Sequence, residues 1–107
     1  MVSRTSRLPY EEFRARGYRE MTTPYFSIKA KRNFRKEGRF GMIVSASSIK
    51  NAVQRNFWRR QAKSVFLKIA PCGFDIFVIL RRPVASSQRG AFRKTLGDTM
   101  MFLISNL

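Results

Sequence analysis

Four cations in one short segment are the residues of this chain best suited to chemistry with a ligand. The segment QRNFWRRQAK, residues 54–63, contains Arg55, Arg59, Arg60 and Lys63 and no acid. Guanidinium and ammonium groups bind phosphate oxygens, and arginine also stacks on nucleobases. A solvated helix face is the alternative, but such a face usually mixes both signs of charge. Because no Asp or Glu occurs from residue 38 to residue 74, we favour a polyanion as the ligand.

The chain holds few residues that could catalyse a reaction. It has no histidine, one cysteine (Cys72) and six acids. This inventory excludes a Cys/His zinc site, an intramolecular disulfide and histidine-dependent nucleophiles. The adjacent acids Glu11 and Glu12 fit the first turn of a helix, where the helix dipole favours negative charge. We therefore expect no catalytic residue, no metal site and no cofactor bound by the protein alone.

The charge of the whole chain points to the same kind of partner. Twenty-two Lys and Arg against six Asp and Glu give the 107 residues a net charge of +16, which suits nucleic acid or, less often, an anionic membrane. With 44% hydrophobic residues, the chain should fold as a single domain over residues 1–107, with residues 1–6 flexible. No apolar run is long enough for a secretory signal or a membrane span, so we expect a cytoplasmic protein.

The cations must be positioned by helices and strands, and the sequence patterns for these elements predict an α+β fold. A short helix is predicted after Pro9. The alternating residues 24–32 and the segment 39–45 predict two strands that form an antiparallel hairpin. The continuous apolar run at 74–80 predicts an interior strand, and a final helix is predicted after residue 86. The order is helix, strands, long basic helix, strand and helix, which indicates a compact two-layer α/β sandwich.

Ser47 or Ser48 could cap the long basic segment, but Ile49 and Val53 miss its apolar stripe, so the helix is predicted to begin only near Asn51 or Ala52. At about 100° per residue its apolar and basic side chains separate onto different arcs. The apolar stripe consists of Trp58, Ala62, Val65, Phe66 and Ile69. The basic arc, centred roughly 130° away, consists of Asn56, Arg59, Arg60 and Lys63. Phe57 lies outside the stripe, and it is either a satellite core contact or a platform for stacking on an exposed base.

The segment KNAVQRNFWRRQAKSVF resembles the signature helix of the bacterial ribonuclease P protein subunit. The residues that match the signature in register are Ala52, Val53, Arg55, Asn56, Arg59 and Arg60. Flanking segments resemble other parts of the same family in the same order, namely RLPYEEF, PYFSIKAKR, FGMIVS and GFDIFVILRRPVA. Similarity therefore extends over nearly the whole chain from Arg7. A basic helix alone is weakly specific, whereas the ordered set of segments is strongly specific.

The resemblance implies an accessory protein. In the family, an RNA subunit carries out magnesium-dependent hydrolysis of precursor transfer RNA and releases the mature 5′ end, and the protein contacts that RNA and the single-stranded 5′ leader. Magnesium is thus implied for the RNA–protein holoenzyme. The implied fold contains a left-handed β–α–β crossover, opposite to the general rule. The resemblance and the basic arc together assign RNA binding to Lys50, Asn51, Arg55, Asn56, Phe57, Arg59, Arg60 and Lys63.

The resemblance also places two residues, Phe13 and Lys29, in the cleft that holds the leader. An aromatic ring could stack on an unpaired base there, and a lysine could face a phosphate; Phe13 is explained equally well as an ordinary core residue. This chain departs from the family where Phe57 replaces the second arginine of an Arg-Asn-Arg triplet. It also departs at residues 46–48, which are not basic as they are in relatives. Both changes remove positive charge near the start of the signature helix.

Three other classes of protein remain as alternatives. A structural ribosomal protein would share the small size and basic charge, but it would not require the ordered family segments. A free-standing metal-dependent nuclease would need clustered carboxylates, and Asp75 and Asp98 are far apart in sequence. A membrane-surface protein would need an amphipathic anchor, whereas the aromatic residues of this chain fit a core.

Overall fold

The computed structural model of the protein describes residues 5–7, 17–45, 49–69, 73–80 and 82–107. Five strands and two helices follow one another along this part of the chain. The strands are β1 (Thr5–Arg7), β2 (Arg19–Thr22), β3 (Ser27–Arg32), β4 (Gly38–Val44) and β5 (Phe74–Leu80). Helix α1 spans Ala52–Ile69, and a short 3-10 turn at Ser86–Gln88 leads into helix α2, Arg89–Ser105. The predicted α+β class and the two-layer arrangement are confirmed.

The five strands form one mixed sheet with the order β1-β4-β5-β3-β2. Strand β5 lies in the interior as predicted, because six of its seven residues are buried and both of its faces are apolar. The predicted hairpin between β3 and β4 is wrong, since β5 is inserted between them, antiparallel to β3 and parallel to β4. Strand β3 instead forms a hairpin with β2, which is short and mostly exposed and therefore has no apolar pattern in the sequence.

Both helices cover the same face of the sheet. Cross-strand partners share a face, and one row, Met21, Ile28, Val78 and Met42, belongs to the same apolar cluster as the helices. The side chains that α1 buries against this face are Trp58, Ala62, Val65 and Phe66, which confirms the predicted stripe. Those that α2 buries are Phe92, Leu96, Thr99, Met100 and Leu103. Because α1 connects the adjacent parallel strands β4 and β5, its outer face is held at a fixed position above the sheet.

Polar contacts fix the start of α1 and the end of α2. The Asn51 side-chain oxygen accepts hydrogen bonds from the backbone N–H groups of Val53 at 2.8 Å and Gln54 at 3.3 Å, so Asn51 caps α1 where the sequence predicts the helix to begin. At the other end of the molecule, Arg19 and Arg32 donate to the last carbonyl groups after α2, where positive charge is favourable. Neither described helix has the length and apolar composition needed to cross a membrane.

Several expectations concern the amino-terminal third of the chain and the segment before α1. The strand β1 pairs in parallel with β4 through Thr5 and Ser6, and the expectation that residues 1–6 are flexible stays a prediction. The predicted helix after Pro9, Phe13 and the proposed caps at residues 47–48 lie outside the described residues.

Candidate nucleic-acid interface

The basic arc predicted on α1 is present on its outer side. The exposed residues Asn56, Arg59, Arg60 and Lys63, termed the α1 basic face below, point away from the buried Trp58. Among the residues that the structure describes, no carboxylate forms an ion pair with any of these cations. Asn56 accepts a long hydrogen bond of 3.4 Å from Arg59, one helical turn away. The three cations are therefore available to a polyanion. Because they are exposed to solvent, we expect their binding to phosphate groups to depend on the salt concentration.

Arg55 does not belong to the α1 basic face. Seven and eleven residues separate it from Ala62 and Phe66, so at about 100° per residue it lies within about 20° of both and points toward the sheet side of α1. Its guanidinium donates to the carbonyl oxygens of Ile49 and Lys50, each at 2.8 Å. Arg55 thus holds the segment that enters the helix. It positions Lys50, which is exposed, and Asn51, whose side-chain oxygen is used by the helix cap.

Phe57 is half-buried and packs against the core cluster. Its ring makes an edge contact with Trp58, with centroids 4.9 Å apart. Of the two interpretations of this residue, the geometry supports the satellite core contact. The departure from the family pattern at this position therefore exchanges a charge for packing at the flank of the helix.

Lys29 lies on the opposite face of the sheet from α1, so the structure does not bring it together with the α1 basic face. It stands in a cross-strand row with Glu20, Phe77 and Gly41. The ring of Tyr18 lies 5.9 Å from that of Phe77, and the amino groups of Lys29 and Lys31 lie 5.6 and 4.7 Å from the centre of the Tyr18 ring. We call Tyr18, Lys29, Lys31 and Phe77 the Tyr18 patch.

The Tyr18 patch continues into a shallow cleft of about 190 Å³ at the next row of the sheet. Thr22, Tyr25, Ser27, Ile79 and Arg82 are among the residues that line it. The lining of this cleft is mainly apolar, but it includes hydroxyl groups, an aromatic ring and one cation. Sequence alternation in β3 predicted that Lys29 and Lys31 share a face. The contribution of Tyr18 could not be predicted, because it depends on the pairing of β2 with β3.

The structure describes four side-chain carboxylates, of which three are engaged by cations, and the fourth, Glu20, is exposed on β2. Asp75 is wholly buried, and its two oxygens accept hydrogen bonds from Arg39 at 2.8 and 2.6 Å. Asp98 pairs with Lys94 at 3.1 Å, and Glu37 with Arg35 at 3.9 Å. In the part of the chain that the structure describes, no three Cys, Asp or Glu residues form a group that could hold a metal ion.

These features define a small basic α/β protein with two cationic surfaces on opposite sides of one sheet. A model of the Ribonuclease P family matches residues 6–102. The chain therefore belongs to the Ribonuclease P family, as the resemblance of its signature helix predicted. A comparison with curated protein sequences found no match.

Solved structures with the same fold include bacterial RNase P proteins. The RNase P protein from Thermotoga maritima superposes with a TM-score of 0.63 at 21% identity, covering 94% of this chain and 96% of that one. The Staphylococcus aureus RNase P protein gives a TM-score of 0.66 at 21% identity over 92% of each chain. A mutant of the S. aureus protein, described as defective in mRNA degradation activity, gives 0.64 at 18% identity, over 92% of this chain and 85% of that one.

Membership in this family supports a role in ribonuclease P, an endoribonuclease that processes transfer RNA, and it implies an RNA subunit as partner.

Proposed function

We propose that this protein is the RNA-binding accessory subunit of ribonuclease P and assists a catalytic RNA in removing the 5′ leader from precursor transfer RNA. The observation that carries the proposal is the α1 basic face, whose three cations are exposed and without a carboxylate partner among the described residues. Phosphate groups of the RNA subunit are the ligand that such a face would bind. We expect the protein to bind the RNA subunit in the cytoplasm.

In this proposal the two cationic surfaces have different ligands. The α1 basic face, together with Lys50, contacts the catalytic RNA. The Tyr18 patch and the adjoining cleft bind the single-stranded leader, with the Lys29 ammonium group facing a phosphate. Since α1 and Lys29 lie on opposite sides of the sheet, the protein could contact both RNA molecules at once. Such bridging would hold the substrate beside the catalytic RNA.

The protein itself is proposed to supply no catalytic group. Arg39, Lys94 and Arg35 pair with Asp75, Asp98 and Glu37, and the described residues contain no cluster of three acids that could hold a metal ion, so we derive no step through a metal bound by this chain. Magnesium enters the proposal as an ion held by the RNA. The protein's contribution is to bind, orient and neutralise phosphate charge, which lowers the magnesium concentration that the RNA needs.

Reconstitution tests the proposal. Purified protein is mixed with a bacterial ribonuclease P RNA and precursor transfer RNA at low magnesium, and release of the 5′ leader is followed with and without protein. We expect cleavage only when the RNA is present, and faster cleavage when the protein is added. Clean 5′ maturation by the protein alone would contradict the accessory role, and no effect of the protein at any magnesium concentration would contradict the assignment.

The contribution of the α1 basic face is measured with the double variant Arg59→Glu and Arg60→Glu. Loss of two phosphate contacts should lower the slope of log affinity against log salt by about 1.4 to 1.8, while the fold stays intact because both side chains are exposed. The matched control, Lys68→Glu with Arg89→Glu, makes the same change of charge on exposed positions outside the α1 basic face. An equal effect of both variants would show that only net charge matters.

A further inference from the structure

One aromatic residue is displayed at the surface in an unfavourable backbone conformation. Phe34, in the turn between β3 and β4, is 92% exposed. Its φ is 57°, and among the described residues other than glycine it alone has a positive φ. This left-handed region suits glycine or asparagine and is disfavoured for a bulky side chain. A turn selected only for its shape would be expected to carry one of those smaller residues here.

The conformation of this turn is enforced by contacts with the start of β5. The Asn33 side-chain oxygen accepts the N–H of Arg35 at 2.8 Å, across Phe34. The Asn33 amide nitrogen donates to the buried carboxylate of Asp75 at 2.7 Å and to the carbonyl of Glu37 at 3.2 Å. Backbone bonds also join Asn33 to Gly73 and Gly73 to Glu37. The backbone that carries the Phe34 ring is therefore fixed to the centre of the sheet.

Cations flank the displayed ring. Arg35 and Lys36 are both exposed, and the one nearby acid, Glu37, is half-buried and 3.9 Å from Arg35. A lone exposed apolar side chain is common and needs no explanation. An exposed ring held in a strained conformation, with two cations next to it, is instead the combination that binds single-stranded nucleic acid: the ring stacks on a base and the cations bind phosphates.

We propose that the turn of residues 33–37, termed the Phe34 turn, is a further RNA contact that stacks Phe34 on an unpaired base while Arg35 and Lys36 bind the adjoining phosphates. The proposal rests on the proposed function for the class of ligand, RNA, and adds a site to it. The turn lies at the sheet edge where β5 begins. Helix α1, about 27 Å long with its 18 residues, ends at this edge and begins at the opposite one, so the Phe34 turn and Asn51 lie at opposite edges of the sheet.

The stacking contact is tested with Phe34→Trp. The chain has a single tryptophan, Trp58, which is 1% exposed, so the new indole is the one that an RNA base can reach. Single-stranded oligouridylate should quench the new emission, and an RNA duplex of equal length should quench it much less. Absence of quenching by the single strand would overturn the proposal. A blue shift with phosphatidylserine vesicles and no response to RNA would overturn it in favour of a lipid surface.

A second variant, Phe34→Asn, removes the ring while keeping a residue that tolerates the left-handed conformation. We expect oligouridylate to bind about 5- to 10-fold more weakly, as for the loss of one stacked base. The salt slope should not change, because no charge is lost, and the thermal midpoint should be equal to or higher than that of the native protein. In contrast, Arg35→Gln with Lys36→Gln should lower the slope by about 1.4.

The outcomes separate this proposal from the proposed function. If Phe34→Asn binds oligouridylate as tightly as the native protein while the Arg59 and Arg60 reversal weakens binding to the ribonuclease P RNA, only the Phe34 turn is refuted. If Phe34→Asn does not weaken binding to oligouridylate and the Arg59 and Arg60 reversal does not weaken binding to the ribonuclease P RNA, the proposed function fails as well.

Discussion

At the scale of single residues, the same tripeptide occurs twice in this chain and its side chains have different environments at the two places. Arg-Asn-Phe occurs at residues 32–34 and again at residues 55–57. In the turn, the phenylalanine is 92% exposed; in α1, it is half-buried against Trp58. The arginine differs too, since Arg32 donates to the carbonyl of Leu107 and Arg55 to the loop before its own helix. Helical periodicity predicted the buried stripe correctly, but it could not show which arginine the backbone would engage.

Phe57→Arg restores the charge that relatives carry and removes the edge contact with Trp58. Since the ring is only half-buried, we expect the free energy of unfolding to fall by about 1 kcal/mol and affinity for the ribonuclease P RNA to rise. Thermal unfolding and RNA titration of the same preparation measure both effects. Unchanged stability would show that the contact with the core contributes little, and unchanged affinity would show that this position does not face RNA.

At the scale of secondary structure, the helices and strands with an apolar pattern could be predicted from the sequence. Which strands lie next to one another in the sheet could not. The bounds of α1 follow from its apolar stripe and the position of Asn51, and the interior location of β5 follows from its unbroken apolar run. The insertion of β5 between β3 and β4 depends on which strands pair over long sequence separations. Strand β2 has too few buried residues to leave a pattern. The position of Tyr18 beside Lys29 and Lys31 is a consequence of that pairing, so it could not be predicted for the same reason.

The cap of α1 gives a prediction at this scale. Asn51→Ala removes the acceptor for the N–H groups of Val53 and Gln54, which should lower the free energy of unfolding by about 1 kcal/mol. The matched control is Asn56→Ala, an exposed position within the same helix, where alanine should be neutral or slightly stabilising because of its higher helix propensity. Chemical denaturation compares the two. Equal midpoints would show that the side chain of Asn51 is not needed to start the helix.

At the scale of the whole molecule, net charge predicted the partner class before any element was located. A charge of +16 on 107 residues opposes the compact state through self-repulsion. Raising the ionic strength from about 10 mM to about 150 mM shortens the screening length from about 30 Å to about 8 Å. The melting temperature should therefore rise, by roughly 5 °C for about 1 kcal/mol of relieved repulsion in a domain of this size.

A variant with fewer positive charges serves as a control for the effect of salt on the melting temperature. Arg59→Gln with Arg60→Gln removes two charges from exposed positions, so the variant should melt at a higher temperature than the native protein at low salt and respond less to added salt. Calorimetric scans at both ionic strengths would measure the difference. A melting temperature that is independent of salt in both proteins would show that the cations are too far apart to repel one another appreciably.

The attachment of the Phe34 turn to Asp75 has a consequence for synthesis of the protein. The hydrogen bond between Asn33 and Asp75 joins residues 42 positions apart, and Gly73 completes the same arrangement. While the ribosome is still making the polypeptide, residues 33–37 leave the exit tunnel well before their anchors do. The displayed ring can adopt its final orientation only after β5 has emerged and entered the sheet, so a nascent chain lacks this surface until well after Leu80, the last residue of β5, has been translated.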